Sequence, residues 1–294
     1  MPQTELDPIK AVPLRHPVRW AMALLLSFMS IAFVIDAAHR SAYDWSAFGH
    51  YLFDSRVLKA ALVTLELTAC AMIIAILLGI ALAVMRRSPN QVFSTVAYLF
   101  IWFFRGTPVY VQLVFWGLLS TIYHSVFIGI PDIHFHSWYA GVHIMLSQNT
   151  SLFLIAVIGL SLNEAAYMAE IVRAGLLSVD SGQEEAAKSL GMGWWVTMRK
   201  IVIPQAMRII IPPTGNEIIS MLKTTSLVTA VPLATDLYAR TRDISDETYN
   251  PIPLLLVACA WYLFFTTILM AIQYFVEKKF SKGHSELRVK ALSS

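Results

Sequence analysis

The chain has 294 residues, of which 57% are hydrophobic and only 14% are charged, and its formal net charge is +3. Soluble domains carry about 25% charged residues, so this composition and the repeated apolar runs exclude a soluble globular domain and predict a polytopic helical membrane protein. The two cysteines, Cys70 and Cys259, lie inside apolar runs, which argues against a disulfide framework.

The apolar runs predict six membrane spans behind a polar leader. The third span is interrupted at Arg105-Gly106-Thr107-Pro108, where the proline is expected to end or kink a helix. Residues 124–149 contain no Lys or Arg, which predicts an outer loop with a short interfacial helix. The predicted spans are residues 20–36, 57–85, 92–123, 151–177, 207–233 and 252–276.

The distribution of basic residues predicts the topology. The segments on one side of the spans hold 14 Lys and Arg, whereas those on the other side hold 4. Because cytoplasmic loops are enriched in Lys and Arg, both termini and the insert at residues 181–204 are expected in the cytoplasm. No cleavable signal peptide is apparent, so the first apolar run is expected to be retained as a span.

The insert, SGQEEAAKSLGMGWWVTMRKIVIP, is charged and lies between two apolar spans. Ser181 and Glu184 form a capping-box pattern that predicts a helix start. Gly191 stands where a helix ends in a left-handed residue. A second helix is expected over residues 194–200, with Pro204 ending the pattern. The sequence therefore predicts a helix–turn–helix outside the membrane.

The spacing of Glu185-Ala186-Ala187, Gly191 and Ile201-x-Ile203-Pro204 resembles the EAA loop of ABC-importer membrane subunits. Residues 57–277 are similar to the polar amino acid branch of that family, and Arg242-Asp243-Ile244 and Tyr249-Asn250-Pro251 are most like its histidine/lysine/arginine importers. The resemblance implies an all-α bundle of about six transmembrane helices with the type I importer architecture. The wider match rests on residues 104–113, 166–173, 216–217 and 223–227.

The resemblance also implies partners, because the chain lacks the P-loop pattern by which it could hydrolyse ATP itself. No G-x-x-x-x-G-K-[ST] pattern occurs, so the resemblance places ATP and Mg on a separate ATPase subunit and implies no cofactor in this chain. It further implies a second permease subunit, identical or not, an extracytoplasmic binding protein and a bacterial inner-membrane location. The expected units are a leader, first span and loop (1–56), a permease core (57–277) and a basic tail (278–294).

Two carboxylates are predicted at mid-depth in the membrane. Glu66 lies about nine residues inside the second span and Glu164 near the middle of the fourth. A charge facing lipid at such depth costs about 2.5 kcal/mol or more, so each is expected to face the bundle interior, a partner chain or a water-filled cavity. They are candidate ligands for a cationic amino acid; the alternative is a structural hydrogen bond. The other pathway candidates are Thr107, Asn163, Tyr167, Asn216 and Lys223.

Roles in the insert follow from the resemblance. The residues expected to couple the insert to the ATPase include charged residues, small residues that allow close approach, the glycine of the turn and apolar residues that can contact the partner. Glu170 and Arg173, at i and i+3 near the end of the fourth span, are expected to form an ion pair. The coupling candidates are Glu184, Glu185, Ala186, Ala187, Gly191, Trp194, Ile201 and Pro204.

Three other classes of function stay open at this point. A proton-coupled secondary transporter would use Glu66 and Glu164 and would need no ATP. A membrane-embedded enzyme is opposed because no nucleophile, metal or carboxylate-dyad motif is evident, and a structural anchor leaves the mid-depth carboxylates unexplained. The histidines of the 124–149 loop, including His134-x-His136, lack the ligand spacing typical of zinc sites, and no metal is predicted.

Overall fold

A computed structural model describes residues 17–123, 125–131, 138–145, 149–231 and 235–281. Short 3-10 turns cover Ser41–Tyr43 and Thr225–Ala230, and a five-residue π-helical segment covers Met198–Val202. The helices are α1 (Pro17–His39), α2 (Trp45–Leu52), α3 (Ser55–Arg86), α4 (Gln91–Gly106), α5 (Val109–Ile122), α6 (Asn149–Leu177), α7 (Ser181–Ser189), α8 (Trp194–Thr197), α9 (Ile203–Thr224), α10 (Leu237–Thr248) and α11 (Pro251–Ser281).

Among the described residues, four helices are long and apolar enough to cross a membrane: α1, α3, α6 and α11. The pair α4 and α5 passes the same test as one span that bends by 102°. The predicted fifth span corresponds to α9 and the 3-10 turn after it. Helix α9 is less apolar because Arg208, Glu217 and Lys223 lie along it. The prediction of an all-α polytopic membrane bundle is confirmed.

The core of the bundle is the contact between α3 and α6. Small residues on α3, such as Ala71 and Ala75, are fully buried and let the two helices approach closely. The same cluster includes Met168 and Ala169 of α6 and Leu113 of α5. A second cluster joins α3 to α10 and α11 through Val57, Leu237 and Val257. In contrast, α1 buries only Ala37.

The stretch after α5 forms a β-hairpin. Strands β1 (Ser125–Pro131) and β2 (Trp138–Met145) pair antiparallel, with Ser125 opposite Met145 and Gly129 opposite Gly141. The prediction of an interfacial helix is wrong over these residues, because their β-branched and aromatic residues favour strands. His124, His134 and His136 lie outside the described residues.

Gly79 sets the distance between α3 and α6. A Cβ atom at this position would lie 2.5 Å from Met168 Cβ and 3.0 Å from the backbone nitrogen of Ala169. Neither atom can move without shifting the helix. We therefore expect Gly79→Ala to lower the free energy of unfolding by about 1–3 kcal/mol, the usual cost of overpacking a core.

Thermal unfolding of the purified chain in detergent measures this effect. The matched control is Gly49→Ala in α2, where a Cβ atom would meet nothing within 4 Å. Gly49→Ala should leave the melting temperature unchanged or raise it slightly, because alanine is the better helix former. Equal melting temperatures for the two variants would contradict the close α3–α6 contact.

Candidate functional site

The two mid-depth carboxylates have opposite surroundings. Glu164 is buried, with 7% of its surface exposed, and its Oε1 has no hydrogen-bond partner among the described residues. Glu217 on α9 is half-buried and lies near enough to act electrostatically on Glu164. Glu66, in contrast, is exposed on the outer face of α3. The single chain therefore brings Glu164 and Glu217 together and keeps Glu66 apart from them.

Glu66 belongs to a face of α3 that no other described part of the chain covers. Lys59, Leu62 and Ile73 are exposed on the same helix at helical spacing. Since a lipid-facing carboxylate is costly, this face is one that another chain or an aqueous cavity must meet. Glu66 was expected to face the bundle interior, a partner chain or a water-filled cavity. Its exposure excludes the interior of its own bundle.

A hydrogen-bond network holds the bend between α4 and α5. The Gln112 side-chain amide donates to the Phe104 carbonyl (3.1 Å), the Thr107 carbonyl (3.1 Å) and the Thr107 hydroxyl (2.6 Å). Asn163 Nδ2 on α6 donates to the Phe104 carbonyl at 2.9 Å and to Gln112 Oε1 at 3.1 Å. These contacts satisfy carbonyl groups that the break leaves without helical partners.

The network changes the interpretation of two predicted pathway residues. The side chains of Thr107 and Asn163 are occupied in fixing the bend, and Asn163 directly precedes Glu164 in α6. Gln112 was not predicted as a site residue, although a buried amide shortly after a helix-breaking proline is a recognisable signal.

Tyr167 is 36% exposed, and the Arg105 guanidinium lies over its ring at 5.2 Å. The predicted Glu170–Arg173 ion pair is confirmed at 2.6 Å.

Helix α9 presents a polar stripe. Asn216 and Lys223 are exposed at i and i+7, with Ser220 between them. Asn216 Oδ1 accepts a hydrogen bond from Gln273 of α11 at 3.0 Å. Within the described residues, no carboxylate lies within 4 Å of Lys223, so the ion pair considered for it with Glu217 or Glu164 is not formed. A polar stripe in a membrane bundle needs water or another protein chain beside it.

The insert begins differently from the prediction. Asp180, and not Ser181, caps α7, because its side chain accepts a hydrogen bond from the Gly182 backbone N–H at 2.7 Å. The capping-box prediction is therefore wrong. Glu184 is left half-buried at the edge of an apolar groove, whereas Glu185 and Ala186 are exposed and Ala187 is buried.

The turn of the insert is as predicted. Gly191 has φ +74°, and its N–H donates to the Lys188 carbonyl at 2.9 Å while the Met192 N–H donates to Ala187 at 3.0 Å. A helix that ends in a left-handed glycine has this pattern. Trp194 begins α8 directly after the turn.

The second half of the insert is continuous with α9. Helix α8 runs through the π-helical segment, where Ile201 is half-buried, into α9. Pro204 lies in the first turn of α9, directly after the π-helical segment, so the helical path from α8 passes through it. The prediction that Pro204 ends the pattern is wrong for this reason, and the turn at Gly191 is joined directly to the polar stripe of α9.

Two tryptophans mark the exposed side of the insert. Trp194 and Trp195 are 67% and 74% exposed, and their rings stack with centroids 5.4 Å apart. They border a groove of about 980 Å³ between α3, α6, α9 and α11, which is lined mainly by apolar side chains. Large exposed aromatic surface of this kind is typical of a contact for another protein.

A buried polar cluster at the other end of the bundle was not predicted. Asp236 has no exposed surface; its Oδ2 accepts from the Tyr238 N–H at 3.1 Å, while its Oδ1 lacks a partner among the described residues. The adjacent Leu237 N–H donates to the Thr64 hydroxyl at 3.0 Å. The Asp before the amphipathic segment of α10 is an N-cap signal that marks this position in the sequence.

Burial raises the pKa of Asp236 from 3.8 to about 7. The folded chain therefore keeps this carboxyl protonated at pH values where the unfolded chain ionises it. The resulting stabilisation is complete below about pH 4 and is lost as the pH rises towards 7. We expect Asp236→Asn to remove the contribution of this carboxyl to the pH dependence of the free energy of unfolding, which amounts to about 4 kcal/mol at most.

Unfolding of the chain in detergent between pH 4.5 and 7.5 measures the difference. The control is Asp246→Asn in α10, where the side chain is 72% exposed. In this variant the free energy of unfolding should change with pH as it does in the unchanged chain. If the free energy of unfolding depends on pH as steeply in Asp236→Asn as in the unchanged chain, Asp236 does not contribute to that dependence.

Comparisons with known proteins agree with this architecture. Residues 75–282 match the family described as binding-protein-dependent transport system inner membrane component. The arginine transport system permease protein ArgU of Corynebacterium glutamicum is 54% identical over 276 residues, which cover 94% of this chain and 84% of the relative. The arginine transport system permease protein ArtQ of Bacillus subtilis is 33% identical over 76% of this chain and 91% of its own length.

Solved structures give the same fold. A crystal structure of an amino acid ABC transporter with histidines matches with a TM-score of 0.62 and 33% identity, covering 76% of this chain and 94% of that one. The MetNI methionine ABC transporter matches with a TM-score of 0.59 at 16% identity, which supports the fold alone. The chain belongs to the family of binding-protein-dependent transport system inner membrane components.

Proposed function

We propose that this chain is the permease subunit of an ATP-driven importer for polar, basic amino acids. The observation that carries the proposal is the insert. A rigid helical turn outside the spans presents exposed tryptophans and is continuous with the polar helix α9, in a chain without a P-loop. An insert of this kind is suited to transmit a movement that another protein generates. The similarity to arginine permeases supports the class of substrate.

The insert docks on a separate ATPase subunit, which binds ATP and Mg. Closure of a pair of ATPase subunits moves the insert as a lever, and α9 transmits the movement to the pathway. The chain lies in the bacterial inner membrane with both termini and the insert in the cytoplasm. Its units are the leader with the first span (1–56), the permease core (57–277) and the basic tail (278–294).

A second permease subunit, identical or not, completes the pathway. Two features of the single chain support this: the exposed Glu66 on α3 and the exposed polar stripe of α9. Each is costly against lipid and acceptable against another subunit or an aqueous passage. An extracytoplasmic binding protein delivers the amino acid to the end of the bundle opposite the insert.

The substrate's positive charge is recognised at Glu164. Its buried carboxylate has an oxygen without a partner among the described residues, and Glu217 adds further negative potential. A guanidinium or ammonium group would satisfy that oxygen and relieve the repulsion between the two carboxylates. Tyr167, one turn along α6, has the Arg105 guanidinium over its ring at 5.2 Å, so we do not assign it to the substrate.

Reconstitution of the chain with its partner subunits in proteoliposomes tests the function. Uptake of labelled arginine should require ATP on the side of the insert and should persist when an ionophore collapses the proton gradient. The alternative, a proton-coupled secondary transporter using Glu66 and Glu164, predicts the reverse. Concentrative uptake by the isolated chain without any ATPase would overturn the proposal.

A further inference from the structure

A second cavity lies at the insert end of the bundle and is lined by arginines. It has a volume of about 730 Å³ and lies between the last turn of α3, the outer face of α4 and the second half of α6. Four guanidinium groups and a single carboxylate border it. Those residues are Arg86, Arg87, Arg105, Arg173 and Glu170.

Three of the four arginines lack a carboxylate partner within 4 Å among the described residues. Glu170 is paired with Arg173. Arg86 donates to the Ser94 hydroxyl at 3.1 Å and lies 4.8 Å from the centre of the Tyr98 ring. Arg105 lies over Tyr167 at 5.2 Å. Aromatic rings and a hydroxyl thus orient the guanidinium groups of Arg86 and Arg105. Because Glu170 neutralises Arg173, about three positive charges remain in the cavity to bind an anion.

The position of the cavity indicates what kind of anion reaches it. Arg86 is the last residue of α3 and Leu177, which also lines the cavity, is the last of α6. These two ends place its mouth at the boundary between the membrane and water. Beside it, α4 exposes an apolar surface that includes Leu99 (52% exposed), Trp102 (64%) and Phe103 (50%). A ligand with a phosphate and an acyl chain would meet both surfaces.

We propose that this cavity binds the phosphate of an anionic phospholipid headgroup, with an acyl chain along α4. Guanidinium groups recognise phosphate oxygens through paired N–H donors, and basic pockets between membrane helices on the cytoplasmic side suit such headgroups. The apolar face of α4 favours a lipid over free phosphate. Glu164 does not line the cavity, so the site is separate from it. The lipid would hold the second half of α4 against α6, next to the bend that shapes the pathway.

Native mass spectrometry of the full chain tests the proposal, with phosphatidylglycerol and phosphatidylcholine offered in equal amounts. The unchanged chain should retain phosphatidylglycerol preferentially. Arg87→Gln combined with Arg105→Gln should weaken its binding by about fivefold for each arginine removed. The charge-preserving variant, Arg87→Lys combined with Arg105→Lys, should lose less affinity for phosphatidylglycerol. The matched control, Arg199→Gln with Lys200→Gln, removes two exposed charges at the same end and should bind as the unchanged chain does.

Each other outcome overturns the proposal. Equal retention of the two lipids, or equal losses in the cavity and control variants, would mean that no specific site exists. Displacement of phosphatidylglycerol by millimolar inorganic phosphate would assign the cavity to the free anion, and displacement by free arginine would assign it to the substrate carboxylate. If the cavity variant keeps its lipid but loses affinity for the ATPase subunit, the arginines form a protein contact.

Discussion

Replacing Gly191 with aspartate is expected to uncouple ATP hydrolysis from transport while the spans stay inserted. Gly191 has φ +74°, and a Cβ atom at this position would meet nothing within 4 Å. The effect therefore comes from the backbone and from charge. A side chain in the left-handed region costs about 1 kcal/mol, and an anion at the C-terminal end of α7 opposes the helix dipole by about 0.3–1 kcal/mol.

Together these terms lower the equilibrium constant for forming the correctly turned insert by about tenfold, because 1.4 kcal/mol corresponds to a factor of ten. The insert can still meet the ATPase, so hydrolysis continues while the turn transmits less of the movement to α9. The quantity to measure is arginine transported per ATP hydrolysed in proteoliposomes. We expect this ratio to fall, by about tenfold at most.

Gly193 provides a matched control two residues away. It also has open space around its Cβ position, but its φ of −66° and ψ of 155° are ordinary for any residue. It is the N-cap of α8, where aspartate is favoured. Gly193→Asp adds the same charge to the same loop and should leave the transport ratio intact. Normal coupling in Gly191→Asp, or equal loss in both variants, would count against docking through this turn.

The turn at Gly191 was predictable because a local backbone requirement fixes it. The spans were predictable for a similar reason: their length and hydropathy depend only on nearby residues. The start of α7 shows where local patterns become ambiguous. Asp180 and Ser181 are adjacent cap formers, and the choice between them depends on how the chain leaves α6.

Other features depend on contacts that sequence spacing does not contain. The 102° bend between α4 and α5 is held by Asn163, which is 51 positions from Gln112. The hydropathy of α3 does not distinguish its buried face from its exposed one, so the same rule that placed Glu66 and Glu164 at mid-depth did not reveal that Glu66 faces outward. Asp236 is buried because α10 packs on α3.

The difference between the two carboxylates has a consequence for mechanism. Glu164 is enclosed by its own chain, so its environment is set before any partner binds. Glu66 acquires its environment only from a second subunit or from water in the passage. The proposed substrate contact at Glu164 would therefore not require a second subunit, whereas a contact at Glu66 would depend on the assembled pair.

Glu164→Gln is consequently expected to weaken the response to basic amino acids more than any other single substitution at mid-depth. Glutamine keeps the size of the side chain and removes its charge. A hydrogen bond to a charged group contributes about 1.5–3 kcal/mol, so the arginine concentration giving half-maximal uptake should rise about 10- to 100-fold. Uptake in proteoliposomes with the partner subunits measures it, beside ATPase activity stimulated by the loaded binding protein.

Two further variants decide what the result means. Glu247→Gln in α10, where the side chain is 67% exposed and paired with Arg56 at 3.5 Å, is the matched control and should leave uptake unchanged. Glu66→Gln tests the second candidate. A loss in Glu164→Gln alone places recognition of the cation inside each subunit, and a loss in both places it where the two subunits meet. Unchanged affinity for basic amino acids in both Glu164→Gln and Glu66→Gln would rule out recognition of the cation by these two carboxylates.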